Sequence, residues 1–394
     1  MKIYELSKIP GIGNEPFQEP DYEAIFNSGY SAGYEDGYDS FVCYMKMALT
    51  FEVLSNDYDW GINLFYVQDQ GLVDAGIEYS LDMGKTWTKI TQAGQGPLPL
   101  PVGGTVQFRA NAQTGPEDGF AWIRGSYGMN FKVYGNIMSM IYGSGFTGQT
   151  EFQSEFDSFG GFFRPDPEHS SENIGLIDAT NLVLPAKTLN TGCYEGMFRE
   201  CINLTGTPGL PATTLADGCY RQMFFDCTSL TDAPELPATR LTDNCYEQMF
   251  RRCTSLTGVP ELNATALAQG CYDSMFLSCT TLTQAPELPA TVLANWCYHG
   301  MFEFCTNLEN GPSVLPAEIL VYNCYSNMFQ GCSKLNHMKC LATDYSAESC
   351  INWFLNATAN TGVFEKKAGV VWPEPGYDPN IGYWIPSGWT VVDA

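Results

Sequence analysis

Cysteine is the residue most able to do chemistry in this chain. Fifteen are present; Cys43 stands alone and the other fourteen lie between Cys193 and Cys350. Most come in pairs eight apart, in a unit that reads Cys193-Tyr194-Glu195-Gly196-Met197-Phe198-Arg199-Glu200-Cys201 and returns at Cys219, Cys245, Cys271, Cys297 and Cys324. Thiols at fixed spacing can ligate zinc or pair as disulfides. Zinc is disfavoured, because no Cys-x-x-Cys occurs and the chain has only three histidines. Disulfides are disfavoured by geometry. If the unit is a helix, its two cysteines lie about 12 Å apart along the axis. Equivalent cysteines on neighbouring packed helices lie about 8–10 Å apart, also beyond a disulfide's reach. The cysteines are therefore expected to be small buried hydrophobes, and neither metal nor cofactor is expected.

A second stretch carries hydroxyls and a carboxylate: Ser80-Leu81-Asp82-Met83-Gly84-Lys85-Thr86-Trp87. It resembles the Asp-box of sialidases and other β-propellers. The resemblance implies a structural hairpin, with Asp82 and Gly84 shaping the turn, Trp87 packed beneath, and Ser80 and Thr86 completing the motif. It does not imply catalysis. A propeller carries several boxes; one copy in a region of about 100 residues is too little for four-stranded blades. No nucleophile–base pair, phosphate loop or basic groove is legible. No catalytic residue is assigned and the chain is expected not to be an enzyme; a carbohydrate-active enzyme is a distant third reading, suggested by the single Asp-box.

Binding candidates are acidic and aromatic. Glu235, Glu261 and Glu287 occupy one place in successive repeats. Stacked as strands they would lie about 5 Å apart, where like charges repel. Two readings follow: the carboxylates point into water and are screened, or they form a ladder for a cation or a basic partner. Asp232, Gln284 and Thr205 fall on the same surface. Tyr377 and Trp384, on a loop near the C-terminus, could stack on sugar rings.

These residues need elements to position them. The recurrence is 26 residues over the first four steps and 27 at the last, where one residue is added near Asn310-Gly311. A fixed period of this length predicts a solenoid. In the Cys-Tyr-x-x-Met-Phe-x-x-Cys half, apolar residues at 0, 1, 4, 5 and 8 predict one broad face of a helix. The lone His299, between such positions, is expected on the surface. The other half, Leu-Thr-x-x-Pro-Glu-Leu-Pro-Ala-Thr, predicts a short extended segment, kept short by Pro234, Pro260 and Pro286. Strands stack at about 4.8 Å and helices at about 8–10 Å, so the array should curve with helices outside. Residues 151–192 are an irregular capping repeat, Cys350, Phe354 and Leu355 continue Cys324, Met328 and Phe329 in a degenerate last repeat, and residues 356–394, with Phe364, Trp372, Trp384 and Trp389, form an aromatic cap.

Before the array, residues 43–150 read as β. Ala48–Leu54 and Ile62–Val67 alternate, Gly76–Ile90 looks like a hairpin, and Thr105–Ala110, Phe120–Arg124 and Asn130–Tyr134 add short strands. A small antiparallel sandwich of the immunoglobulin-like kind is expected. Residues 1–42 carry eight acidic and two basic side chains. Their Tyr30, Tyr34 and Tyr38, each after a glycine, suit either an acidic linker or an anchor that orders against a partner. The net charge of −25 repels nucleic acid and anionic membranes, and no run reaches transmembrane length. No signal peptide is visible; either a leader is missing or the protein leaves its cell without Sec export.

The unit Cys-Tyr-x-x-Met-Phe-x-x-Cys-Thr-x-Leu-Thr-x-x-Pro-Glu-Leu-Pro-Ala-Thr resembles the BspA-like leucine-rich repeats of surface and adhesion proteins from gut Bacteroidales and their phages, crAss-like phage virion proteins among them. The resemblance covers residues 150–394. It extends to Ala368–Pro373 and Ile385–Val391, which look like the tail that closes such arrays; Tyr377–Trp384 departs from it as an inserted loop. It implies a right-handed α/β leucine-rich-repeat solenoid over 151–355 and a non-catalytic adhesion scaffold. The expected function is a virion-surface fibre or receptor-binding adhesin of a Bacteroidales phage. Residues 1–42 would bind other virion proteins, a homotrimer is possible, and the repeats would recognise a host-surface glycan or protein. The alternative is a bacterial cell-surface adhesin.

Overall fold

Alternation of apolar residues builds the first sheet. In β1 (Leu49–Asn56) Leu49, Phe51 and Val53 are fully buried. There follow β2 (Phe65–Val67), the short helix α1 (Gln70–Asp74), β3 (Glu78–Ser80), β4 (Thr88–Lys89), β5 (Thr105–Arg109), β6 (Ile123–Gly125), β7 (Met129–Asn136) and the helix α2 (Ser139–Tyr142). The computed structural model describes residues 44–56, 65–67, 70–94, 100–110, 123–125, 128–153, 158–165, 175–343, 348–355, 361–372, 375–378 and 382–394. The acidic segment 1–42, with Tyr30, Tyr34 and Tyr38, lies outside them. Among the described residues the structure is mostly β, with mixed sheets and few, short helices.

The largest sheet runs β4-β3-β5-β1-β7-β8, where β8 is Leu176–Asp178, and β9 (Leu182–Val183) also pairs with β7. β1 is antiparallel to β5 and β7, whereas β8 and β9 lie parallel to β7. That change of direction carries the sheet past residue 150 into the repeats. Asp178 bridges Gly206, and the same kind of parallel bridge recurs at Asp232–Gly258 and Gln284–Asn310. A second file of bridges joins Thr188 to Thr214, Arg240 to Ala266 and Ala266 to Val292. The bridges are isolated, as expected where prolines remove ladder donors. At the far end they widen into a parallel sheet of β10 (His337–Cys340), β11 (Gly362–Lys366) and β14 (Trp389–Asp393), beside the hairpin β12 (Gly376–Asp378) and β13 (Gly382–Ile385).

The helices expected over Cys-Tyr-x-x-Met-Phe-x-x-Cys are absent; the segment is a chain of β-turns. Every fourth residue has positive φ: Gly192, Gly196 and Glu200, then Gly218, Gln222 and Asp226, and so on to Asn323, Asn327 and Gly331. An α-helix does not tolerate that. The backbone bonds divide in two. Glu195, Met197, Arg199 and Cys201 donate to the carbonyl three residues back, at 3.0, 3.2, 2.9 and 3.1 Å. The residues between them donate to the next coil: Tyr194 to Cys219 O (2.9 Å), Gly196 to Arg221 O (2.8 Å), Phe198 to Met223 O (2.9 Å) and Glu200 to Phe225 O (2.7 Å). The physical reason lies in the period. A helix advances 100° per residue, so residues four apart drift by about 40°. A turn chain that repeats every four residues brings 0, 1, 4, 5 and 8 back to one side.

Coils joined by such bonds stack closely. The tyrosine rings form one column, from Phe159 under Tyr194 through Tyr220, Tyr246, Tyr272, Tyr298 and Tyr325 to Trp353, with centroids 5.4–6.1 Å apart and planes within 15° of parallel. Phenylalanines form a second column, from Phe163 to Phe354, at 5.2–5.8 Å. The spacing mismatch expected to curve the array is therefore small. In the last repeat Trp353 and Phe354 carry the columns, so Leu355 does not take the place of Phe329 as the spacing predicts. Phe364, Trp372 and Trp389 are buried against these two rings.

The cysteines are free and buried throughout 193–350, but the distances that excluded pairing rested on a helix that does not form. Their role is visible at the second cysteine of each unit. Sγ of Cys227, Cys253, Cys279 and Cys305 each donates to the carbonyl of the phenylalanine one coil earlier, at 3.1 Å. Burial pushes these thiols up; that of Cys305 reaches about 12.

Gly218 tests the turn chain. Its φ is +61° and an added Cβ would meet nothing closer than 4.0 Å. Asn244 and Asn323 hold the equivalent place. Gly218→Ala is expected to lower unfolding stability by about 1 kcal/mol through φ alone, and Gly218→Asn by clearly less, read from urea midpoints. Equal losses would sink the argument.

Candidate binding surface

Two faces of each coil leave side chains free to act. On the extended half, Glu235, Glu261 and Glu287 are exposed, alternating with buried Leu236, Leu262 and Leu288. Glu287 accepts from Ser313 N at 3.0 Å and Ser313 Oγ at 2.6 Å, and Glu261 from Asn263 Nδ2 at 3.4 Å. At least these two carboxylates are thus used by neighbouring chain. Asp232 and Gln284 are exposed at the bridges; Thr231 Oγ1 donates to Asp232 at 2.8 Å, and Gln284 Nε2 to Ala285 O at 3.2 Å. Thr205 Oγ1 donates to Ile177 O at 3.0 Å. No group of three or more metal-ligating side chains occurs among the described residues. Tyr377 and Trp384 lie on β12 and β13; their side chains lie outside the described residues.

The turn face is a polar network. Glu195 accepts from Arg221 Nε and Nη2 at 3.0 and 2.5 Å, Arg199 donates to Gln222 Oε1 at 2.5 Å, and Gln222 donates to Gln248 Oε1 at 3.0 Å. Arg199 and Arg251 cover the ring of Phe225, at 4.7 and 5.6 Å from its centroid. Further along, His299 Nδ1 lies 3.0 Å from Asp273 Oδ1 and its Nε2 lies 3.3 Å from Asn327 Nδ2. His299 is thus half-buried and engaged, where a plain surface residue was expected. Burial, and then the carboxylate of Asp273, raises the pKa of Glu247. Burial raises that of Glu303, against the pull of His299 and Arg251.

The Asp-box closes on itself. Asp82 accepts from Thr86 N (2.8 Å), Thr86 Oγ1 (2.6 Å) and Ser80 Oγ (2.8 Å). Gly84 N donates to Ser80 Oγ at 2.8 Å, and Trp87 Nε1 to Gly84 O at 2.9 Å. The hydrogen bonds from Thr86, aided by Ser80, hold Asp82 down at about 2. Each polar group of the motif is spent on the turn, between β3 and β4.

Large apolar side chains are exposed in two adjacent coils: Val292 (64%), Phe304 (42%), Ile319 (74%) and Tyr322 (47%). The sequence reading missed them, although a signal was present. Their equivalents in earlier coils are polar or small, such as Thr214, Arg240 and Ala266 for Val292 and Ile319, and Asp217, Asp243 and Gln269 for Tyr322.

No protein-family model, no curated protein and no solved structure matches this chain.

Two titrations check the electrostatics. Asp82 titrates at about 2 when folded, against an ordinary 3.8. Its contribution is present above pH 3.8 and is lost as pH falls toward 2. Asp82→Asn should destabilise the protein at pH 6 and converge with the parent near pH 2 in acid-unfolding curves. Glu247 has the opposite sign: its ionised form is disfavoured in the folded state. Glu247→Gln should raise the urea midpoint at pH 7, and the gain should shrink as pH drops to 4; a lower midpoint at pH 7 would contradict it.

Proposed function

We propose that this chain is a non-catalytic recognition protein, in which a small β-sandwich carries a solenoid of 26-residue repeats built from turns and single bridges. The observation that carries the reading is the division of labour within each coil. Cys, Tyr, Met, Phe and Cys are buried in coil after coil, while the positions between them change from Glu195 to Arg221, Glu247, Asp273 and His299. A scaffold of constant interior and variable exterior is how repeat proteins present a binding surface. The resemblance to BspA-like repeats supplies the setting: a virion-surface fibre or receptor-binding adhesin of a Bacteroidales phage, with a glycan or protein of the host surface as its target. The cell-surface adhesin of a bacterium is the second setting.

The test uses the full-length chain, fluorescently labelled, on a panel of Bacteroidales strains, with gold-labelled antibody on phage particles alongside. Saturable binding to some strains and decoration of particles are expected. Saturable binding without decorated particles would favour the bacterial setting. Failure to bind any strain would remove the adhesin reading.

A further inference from the structure

The outward corner of each coil, at the second bridge, is occupied in turn by Thr188, Thr214, Arg240, Ala266 and Val292, and Ile319 follows at the same place in the next repeat. Threonine, arginine and alanine occupy it in earlier coils, so the stack does not require a large apolar residue there. In the fifth and sixth coils the corner nevertheless becomes valine and then isoleucine, 64% and 74% exposed. Between them runs an open groove of about 410 Å³, walled by Thr291, Val292 and Leu293 on one coil and by Pro316, Ile319 and Val321 on the next. Exposed apolar side chains that line a concavity mark contact sites.

The fifth coil breaks the pattern again a few residues on. Trp296 has φ +62°, where the other coils place Gly192, Gly218, Asn244, Gly270 and Asn323. That backbone conformation is costly for a bulky side chain. The Trp296 ring meets Tyr322 edge-on at 5.6 Å and His299 at 4.8 Å, extending the apolar character along both coils.

The lining also selects the occupant. Among the groove residues only Thr291 and Glu318 carry polar side chains, and Glu318 is ion-paired with Lys367 at 2.7 Å. A saccharide would find few partners for its hydroxyls. An aliphatic side chain would find a wall of valine, leucine, proline and isoleucine. The chain carries −25 overall, and Glu287 is exposed on the same coil as Val292. We propose that the groove between the fifth and sixth coils receives an aliphatic side chain of a positively charged polypeptide segment. This rests on the reading of the repeats as a recognition surface and narrows the target to protein.

The test compares the full-length chain with Val292→Thr/Ile319→Thr. Threonine already occupies this corner at Thr188 and Thr214, so the double variant keeps both fold and charge. The probes are a short peptide alternating leucine and lysine, its leucine–glutamate counterpart, and a neutral maltooligosaccharide, titrated by fluorescence anisotropy. The leucine–lysine peptide should bind, weaken as salt rises, and lose about tenfold or more in affinity in the double variant, the scale of two lost apolar contacts. Equal affinity for the variant, equal binding of the leucine–glutamate peptide, or binding of the saccharide alone would overturn the proposal. Labelled host cells keep the two ideas apart. If the variant loses the peptide but still binds cells as the parent does, the groove is not the host-binding site and the adhesin reading stands. If the parent binds the peptide through the groove but no cell, the groove assignment stands and the adhesin reading falls.

Discussion

Everything in the repeat stack depends on one hydrogen bond repeated from coil to coil. The peptide unit between Cys219 and Tyr220 shows how it works. Its carbonyl accepts from Tyr194 N at 2.9 Å and its N–H donates to Cys245 O at 3.1 Å. The next coils repeat the arrangement at Tyr246 to Cys271 O (3.0 Å) and Tyr272 to Cys297 O (3.1 Å). The peptides of a column therefore all point the same way, head to tail, as they do along an α-helix, but here the column runs across the coils. A half-buried donor or acceptor without such a partner is expensive. That cost explains why each coil must reproduce its neighbour's backbone, positive φ included.

The identity of the buried residues follows from the spacing that this bond sets. At 5.2–6.1 Å between ring centroids, planar side chains fill the space best by lying parallel. A cysteine beside them is small enough to leave room for the rings, and its S–H satisfies the second lone pair of a carbonyl in the coil before, as Cys253 does for Phe224. The columns need ends. At one end residues 158–165 donate from Phe159, Gly161 and Phe163 to Cys193, Glu195 and Met197, while Phe163 meets Phe51 of β1 at 6.1 Å. The core of the first sheet and the core of the repeats are thus one. At the other end Trp353 and Phe354 close the columns under Phe364, Trp372 and Trp389.

Because the interior is committed to stacking, only the faces between the columns are free to vary. Near the first coils the turn face gathers arginines around Phe225. By the fifth coil it holds Asp273, His299 and Trp296, and the neighbouring corner has turned apolar. The surface changes character along the stack while the backbone beneath it does not, which is what lets one architecture present different chemistry at different coils.

The amino-acid sequence by itself determined the repeat, its period and its buried set. Cys, Tyr, Met, Phe and Cys recur at fixed places because each must meet its own copy, and the strands of 48–134 followed from alternation. It also held the clue to the turns: Gly or Asn stands before five of the six Cys-Tyr pairs, at Gly192, Gly218, Asn244, Gly270 and Asn323, and Trp296 before the other. Apolar spacing alone resembled a helix, since periods of 3.6 and 4 differ little over nine residues. Only the tertiary structure decided between them, because half of the backbone donors find their acceptors one coil away, where no local pattern reports them. The same holds for the surface. Glu235, Glu261 and Glu287 were legible as a file, but that Glu287 is taken up by Ser313, and that Val292 and Ile319 line one groove, depends on how neighbouring coils are set side by side.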